Sequence, residues 1–195
     1  LGAGTGVLSL MLCQKFPLLQ VDAIEIDAGA YLDCLMNFEE SRWSDQLNVM
    51  QGDYFKHRFS KSYDLIVSNP PFYLEKIEDM KRINALAKHT SKEGFYTIIF
   101  RIKSLLAKNG SCWMILPYTQ LDLLTGYVNQ VSLFINRIVF IDAKKSKPNS
   151  RVIIEISNSF AQMKTSRLII RNEDNSYSDS YINLTKEFHS KELKK

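Results

Sequence analysis

The stretch Tyr63-Asp64-Leu65-Ile66-Val67-Ser68-Asn69-Pro70-Pro71-Phe72 decides how the rest of the chain is read. Residues 63–68 form a strand-length apolar run. The two prolines after Asn69 cannot extend a sheet ladder, because each lacks an N–H and has a fixed φ. The strand must therefore stop at a rigid turn that holds an amide, a carbonyl and an aromatic ring at its carboxyl end. In open α/β sheets that end is where ligands bind. Those groups suit the exocyclic amine of a flat base; a plain strand-ending turn is the alternative.

Working outward, Leu1-Gly2-Ala3-Gly4-Thr5-Gly6 is a glycine-rich turn that opens a helix. Glycines let backbone approach a ligand, and a helix N-terminus offers unpaired N–H groups. The dinucleotide fingerprint G-x-G-x-x-G fails here, since position 7 is Val and the third glycine falls one residue early. The G-x-G-x-G form resembles the S-adenosylmethionine loop of class I methyltransferases. Glu25-Ile26-Asp27 ends the next strand, where an acidic side chain can accept both ribose hydroxyls. Glu25 is the preferred acceptor, Asp27 can instead cap the following helix, and Ile26 can cover one face of an adenine. Gly52-Asp53-Tyr54-Phe55 ends the third such strand. Asp53 can accept from the cofactor's adenine amine with Tyr54 stacking on the ring, or be a solvated turn residue.

The elements expected between these points alternate. Helices are read over 5–16, 28–42, 91–108 and 119–131, and strands over 20–26, 47–51, 63–68 and 111–116. Residues 73–90 read as a loop. Two long strands, 133–143 and 151–160, flank a Lys/Ser/Pro/Asn loop as an antiparallel hairpin, and 166–171 is a further strand. Asn109-Gly110 reads as a helix stop. Tyr177, Tyr181, Leu184 and Phe188 recur at helical spacing and are expected to dock a last helix on the core. The whole describes a doubly wound α/β fold with a mostly parallel, seven-stranded sheet and a closing antiparallel hairpin. Residues 1–195 read as a single domain. Its opening in the middle of a strand-to-helix turn leads to the expectation that a first strand and an upstream segment are missing.

Composition is that of an ordinary globular protein: 45% hydrophobic and 24% charged, with a formal charge of +4. A mild basic excess permits nucleic-acid binding without arguing for it. Lys144, Lys145, Lys147 and Arg151 concentrate it in the hairpin loop, where phosphate contact and a solvated tip are equally good readings. His89 can touch substrate or be a loop residue without a role. Three scattered cysteines, Cys13, Cys34 and Cys112, suit buried thiols of a cytoplasmic protein, with neither disulfide framework nor zinc spacing. No metal site is expected, and no apolar stretch is long enough to span a bilayer.

Taken together, the segments LGAGTGVLSLMLCQ, IEID, YDLIVSNPPF and YSDSYINLTKEF resemble the amino-methyltransferases with an Asn-Pro-Pro-Phe motif. More narrowly, they resemble the bacterial tRNA adenine methyltransferases that modify valine tRNA beside the anticodon; the tail segment discriminates best. The resemblance implies a Rossmann-like fold, S-adenosylmethionine as cofactor, tRNA as partner, and methylation of the adenine N6 amine. It implies neither a membrane nor an obligate protein partner. It assigns the catalytic turn to Asn69, Pro70, Pro71 and Phe72, with Asn69 and the Pro70 carbonyl accepting from the target amine and Phe72 stacking on the base. The implied cofactor residues are Gly2, Ala3, Gly4, Gly6, Glu25, Ile26, Asp53, Tyr54 and Asn69. A protein-glutamine methyltransferase sharing the motif, and a catalytically silent RNA-binding protein of this fold, are the competing readings.

Overall fold

The structure, a computed structural model, describes residues 1–70, 92–148 and 150–189. Pro71, Phe72 and His89 therefore lie outside the described residues, as does the segment read as a loop. Two compact units are present, residues 1–60 and 61–195.

In the first unit, α1 (Val7–Lys15), β1 (Val21–Glu25), α2 (Ala28–Glu39) and β2 (Leu47–Gln51) follow in order. β1 and β2 pair in parallel, from Val21 opposite Leu47 to Glu25 opposite Gln51. Asp27 caps α2, accepting the Ala30 N–H at 2.9 Å, so the alternative capping role for that residue is the one the fold uses. The inward face of α2 is narrower than its apolar content suggests. Cys34 and Phe38, one turn apart, are buried with Ala23 of β1, whereas Leu32 and Met36 are exposed.

The second unit holds β3 (Tyr63–Ser68), α3 (Lys92–Leu105), β4 (Leu106–Pro117), α4 (Leu121–Gln130), β5 (Phe134–Asp142), β6 (Arg151–Ser157), β7 (Lys164–Ile169) and α5 (Asp179–Thr185). Its sheet has the order β3-β4-β6-β5-β7. The expectation of one mostly parallel, seven-stranded sheet is met only in part. The described strands form a two-stranded and a five-stranded sheet. The larger is mixed, because the expected β5–β6 hairpin folds back to insert β6 antiparallel between β4 and β5.

Apolar periodicity explains this core. On α3, Phe95, Ile98, Ile99, Ile102 and Leu105 are all buried, the i, i+3, i+4, i+7 stripe of a helix facing a sheet. On β4 and β6, Cys112, Met114, Leu116, Val152, Ile154 and Ile156 are fully buried at every second position. Truncating any one of the isoleucines would cost about 2–5 kcal/mol. On the other face Trp113 is half-buried beneath the Arg137 guanidinium, 5.6 Å from its ring centroid.

Among the boundaries that differ from the sequence reading, one changes the role of a motif. α3 ends at Leu105 and β4 starts at Leu106, so Asn109-Gly110 sits inside the strand rather than stopping a helix. A side chain at Gly110 would meet the Tyr63 carbonyl at 2.7 Å, so it is close packing against β3 that requires glycine there. The tail aromatics do not form a buried helix face either. α5 starts after Tyr177, Leu184 is exposed, and α5 buries none of its residues. The chain instead bends at Arg171–Tyr177, which pair as an isolated bridge.

Candidate functional site

In the first unit, the glycine turn is anchored before α1 begins. The Ala3 N–H donates to the Ile24 carbonyl at 3.0 Å, and the Asn37 amide donates to the Thr5 carbonyl at 2.8 Å. Gly2, Gly4 and Gly6 all have positive φ, at 67°, 55° and 82°. Gly6 is required by packing as well: a Cβ there would lie 2.6 Å from the Phe38 ring and 2.7 Å from the Cys34 sulfur. Gly4 is different. Nothing lies within 4 Å of the place its Cβ would take, so its backbone lines open space. Immediately after it, α1 begins at a Gly6 N-cap that offers no side-chain cap to its first amides.

Glu25, at the carboxyl end of β1, is buried and accepts three backbone N–H bonds. Oε2 takes Gly4 at 2.8 Å, and Oε1 takes Ile26 and Asp27, each at 2.9 Å. The carboxylate is thus the keystone of the glycine turn, with acceptor capacity left on Oε2. Ile26 is exposed beside it. Just past β2, Asp53 is half-buried and its Oδ1 accepts the Phe55 N–H at 2.9 Å. Tyr54 is buried, its ring centroid 4.4 Å from that of Phe55. Burial, then the Asp53 and Glu25 charges, push its phenol well above the usual tyrosine range, so it stays neutral. Burial, with Glu25 adding, pushes the Cys34 thiol up to about 11; it packs beneath the turn as an inert neutral group. All three cysteines are buried free thiols.

The structure thus brings Gly2, Ala3, Gly4, Gly6, Glu25, Ile26, Asp53 and Tyr54 together in one unit, at the carboxyl ends of two parallel strands. The open cradle at Gly4, the uncapped amides of α1 and the strand-end carboxylates are donors and acceptors of the kind a zwitterionic amino-acid nucleoside needs. Sequence reasoning missed Asn37, whose contact with the turn spans 32 residues and leaves no local pattern.

In the second unit, the buried–exposed alternation of β3 continues past its end: Ile66, Ser68 and Pro70 are buried, while Asn69 is exposed. The amide is therefore presented at the carboxyl end of the strand. Because β3, β4, β5 and β7 share one direction and β6 opposes them, the β5–β6 hairpin tip lies at this same rim. Ser68 pairs with Met114, whereas Pro117, Arg151, Ile141 and Leu168 form a row three residues further out. At roughly 3.3 Å per residue, that row projects about 10 Å beyond β3.

The rim carries Lys144, Lys145, Lys147 and Arg151, of which the last three are exposed. The tip is clamped to the segment after β7. Glu173 accepts the Ser146 N–H at 2.9 Å and its hydroxyl at 2.7 Å, and Lys144 donates to the Glu173 carbonyl at 3.1 Å. The Ser146 bonds, then the Lys144 and Lys145 charges, hold the Glu173 carboxyl below the usual range. Asp142, buried at the end of β5, pairs with Arg167 at 2.6 Å.

The five-stranded sheet and the glycine-turn unit belong to a known class. The family model "Methyltransferase small domain" matches residues 1–120, and the chain belongs to that family. It has the class I methyltransferase fold, as the solved structures show. A predicted O-methyltransferase of Agrobacterium tumefaciens superposes with a TM-score of 0.71 at 15% identity, over 92% of this chain and 83% of that one. A glycopeptide N-methyltransferase complexed with S-adenosyl-L-methionine superposes with a TM-score of 0.60 at 12% identity, over 82% and 80%. Among curated proteins the chain is similar to the tRNA1(Val) (adenine(37)-N6)-methyltransferase of Flavobacterium psychrophilum, 33% identical over 98% of this chain and 82% of that protein. The protein of the same name from Vibrio vulnificus strain YJ016 is 30% identical over 98% and 80%. The cofactor of this protein is S-adenosylmethionine. Among the described residues, no helix is long and apolar enough to cross a membrane.

Proposed function

We propose that this protein, acting as one catalytic domain in the cytoplasm, methylates the N6 amine of an adenine in tRNA, next to the anticodon of valine tRNA. The observation that carries the reading is the similarity to the tRNA1(Val) (adenine(37)-N6)-methyltransferases across 98% of the chain, tail included. A mostly parallel sheet that includes all seven strands belongs to the same proposal.

S-adenosylmethionine, when bound, supplies an electrophilic methyl group on a sulfonium. The turn from Gly2 to Gly6, with Ala3, would hold its amino-acid portion through backbone amides. Glu25 would accept from the ribose, Ile26 would cover the adenine, and Asp53 would accept the adenine amine through its second oxygen, with Tyr54 supporting the ring pocket. Asn69 would serve both ligands. Its amide oxygen and the Pro70 carbonyl would accept from the two N–H bonds of the target amine. An adenine amine is flat because its lone pair is delocalised into the ring. Two acceptors on its hydrogens favour a pyramidal nitrogen with a directed lone pair, and Phe72 and Pro71 would steady the base. No strong base is required, since the nitrogen becomes acidic as it gains charge. Orientation and placed dipoles then supply most of the rate. A loop adenine is also cheap to splay out of its stack.

Incubation with labelled cofactor and total tRNA, followed by nucleoside analysis, tests the reading. N6-methyladenosine in valine tRNA is the expected product. Label on a protein glutamine, or on no substrate with cofactor bound, would overturn it in favour of the two competing readings.

A further inference from the structure

One set of residues remains outside this mechanism. Beyond β7 the Arg171 guanidinium lies 4.0 Å from the Tyr177 ring centroid, and its Nη1 donates to the Asn175 carbonyl at 2.6 Å. Tyr177 and Tyr181 are stacked, their centroids 5.2 Å apart and their planes 15° from parallel. Both residues are half-buried, so each keeps part of its surface in solvent. Two half-buried tyrosines are thus held parallel, with an arginine against one of them. Ser178, buried between them in sequence, fixes the pair by accepting the Tyr181 N–H at 3.1 Å and donating to the Ile169 carbonyl.

The pair belongs to a longer pattern. Along the rim of the second unit, Tyr118 follows β4 and is 39% exposed, Arg151 opens β6, Lys145 and Lys147 occupy the hairpin tip, and Tyr177–Tyr181 follow β7. Flat rings thus flank exposed cations along an edge that, from β3 to β7, is four strand spacings wide, roughly 20 Å. That edge begins at Asn69 on β3. The Glu173–Ser146 clamp joins the cationic tip to the tyrosine segment, so the two parts are held as one surface. Stacking faces interleaved with cations are the requirement for single-stranded nucleic acid: rings take unpaired bases and cations take phosphates. A protein surface would call for apolar burial in place of a charged edge, and a lipid surface has no bases to stack.

We infer that this rim is the RNA-binding surface of the protein, in which Tyr181, backed by Tyr177 and Arg171, stacks on an unpaired base of the loop several nucleotides from the target adenine while Lys145, Lys147 and Arg151 neutralise phosphates on the way to it. The inference rests on the tRNA reading above and adds which residues read the loop and how. It also gives the tail a role as a substrate-positioning device outside the catalytic turn.

The test uses the full chain and valine tRNA transcript. Tyr177→Ala with Tyr181→Ala should raise the KM for tRNA roughly 5- to 100-fold, the range for losing base stacking. kcat at saturating tRNA and S-adenosylhomocysteine affinity should stay within a few fold, since neither tyrosine is among the residues assigned to the cofactor or to the catalytic turn. Tyr177→Phe with Tyr181→Phe should restore KM, because the rings and not the hydroxyls do the stacking. As a check independent of variant folding, photocrosslinking of the unaltered protein to thiouridine-substituted tRNA should label peptides spanning 171–181. Wild-type KM in the alanine pair, or crosslinks that all fall elsewhere while tRNA is still methylated, would overturn this inference alone. An unaltered protein that methylates no tRNA would overturn the proposed function and this inference with it.

Discussion

The glycine turn and the carboxyl rim of the five-stranded sheet solve two recognition problems in opposite ways. Around the turn, binding groups are mostly backbone amides, fixed by the buried Glu25 carboxylate and packed onto Cys34 and Phe38. Around the rim they are side chains that reach solvent, tied together by contacts such as the hydrogen bonds of Glu173 and the Arg171–Tyr177 stack. A small ligand of constant shape suits a rigid backbone cradle, whose ordering cost is met during folding. A large polyanion suits long side chains that gain from charge and stacking over a wide area. Damage at the turn should therefore appear as lost stability or cofactor affinity. Damage at the rim should appear in substrate binding and its salt dependence.

The severest break in that contrast is Gly6→Ala. Left-handed backbone costs about 1–2 kcal/mol for a residue with a Cβ, and forcing a methyl against Phe38 and Cys34 adds about 1–3 kcal/mol. Thermal unfolding should show a loss of about 2–5 kcal/mol. Gly4→Ala should show only the first of these terms but a clear fall in S-adenosylhomocysteine affinity, because its Cβ would enter open space. Equal stability losses in the two variants would mean the turn is not a cradle.

Next comes Asn69→Ala, at the end of β3. It should lower kcat by roughly 100- to 1000-fold, the scale of removing one placed dipole from a reacting centre. Calorimetry should find cofactor affinity within a few fold of the original. Wild-type turnover with the same product would exclude the mechanism.

Glu25→Ala should lower cofactor affinity by about 1.5–3 kcal/mol, through lost charge-assisted acceptors. It should also reduce stability, since the Gly4, Ile26 and Asp27 amides lose their partner. Glu25→Gln separates the two effects by keeping the shape of the keystone. If calorimetry shows unchanged affinity in both variants, the ribose has been placed wrongly.

Neutralising Lys144, Lys145, Lys147 and Arg151 should leave the first unit untouched and flatten the salt dependence of tRNA binding. Each lost phosphate contact removes about 0.7–0.9 from the log–log slope. An unchanged slope would assign the tip to solvent.

The smallest effect concerns pH. The Glu173 carboxyl is held below its unfolded value, so its clamp stabilises the rim above the ordinary carboxylate pKa and is lost only as pH falls through the lowered one. The Ser146 amide resonance should therefore stay constant from neutral to mildly acidic solution and move only below the usual carboxylate range. Glu173→Gln should abolish that acid-side movement.

Much of this was legible in the chain itself. The glycine spacing, the Glu25-Ile26-Asp27 strand end and the Asn69-Pro70 stop are local patterns, because turns and strand ends are set by residues adjacent in sequence. The existence of α3 and of the β5–β6 hairpin was likewise readable, since helix, strand and turn preferences are local. What tertiary structure alone decided depends on contacts between distant residues. Strand directions determined that Lys145 and Arg151 share a rim with Asn69, a question that sequence order leaves open. Pairing of the hairpin placed β6 between β4 and β5 and so made the larger sheet mixed. Helical spacing suggested that Tyr177 and Tyr181 would be core, yet the Arg171–Tyr177 bridge bends the chain before α5 and leaves both residues only half-buried. Periodicity tells which residues share a face of an element; only packing against the rest of the molecule decides whether that face is covered.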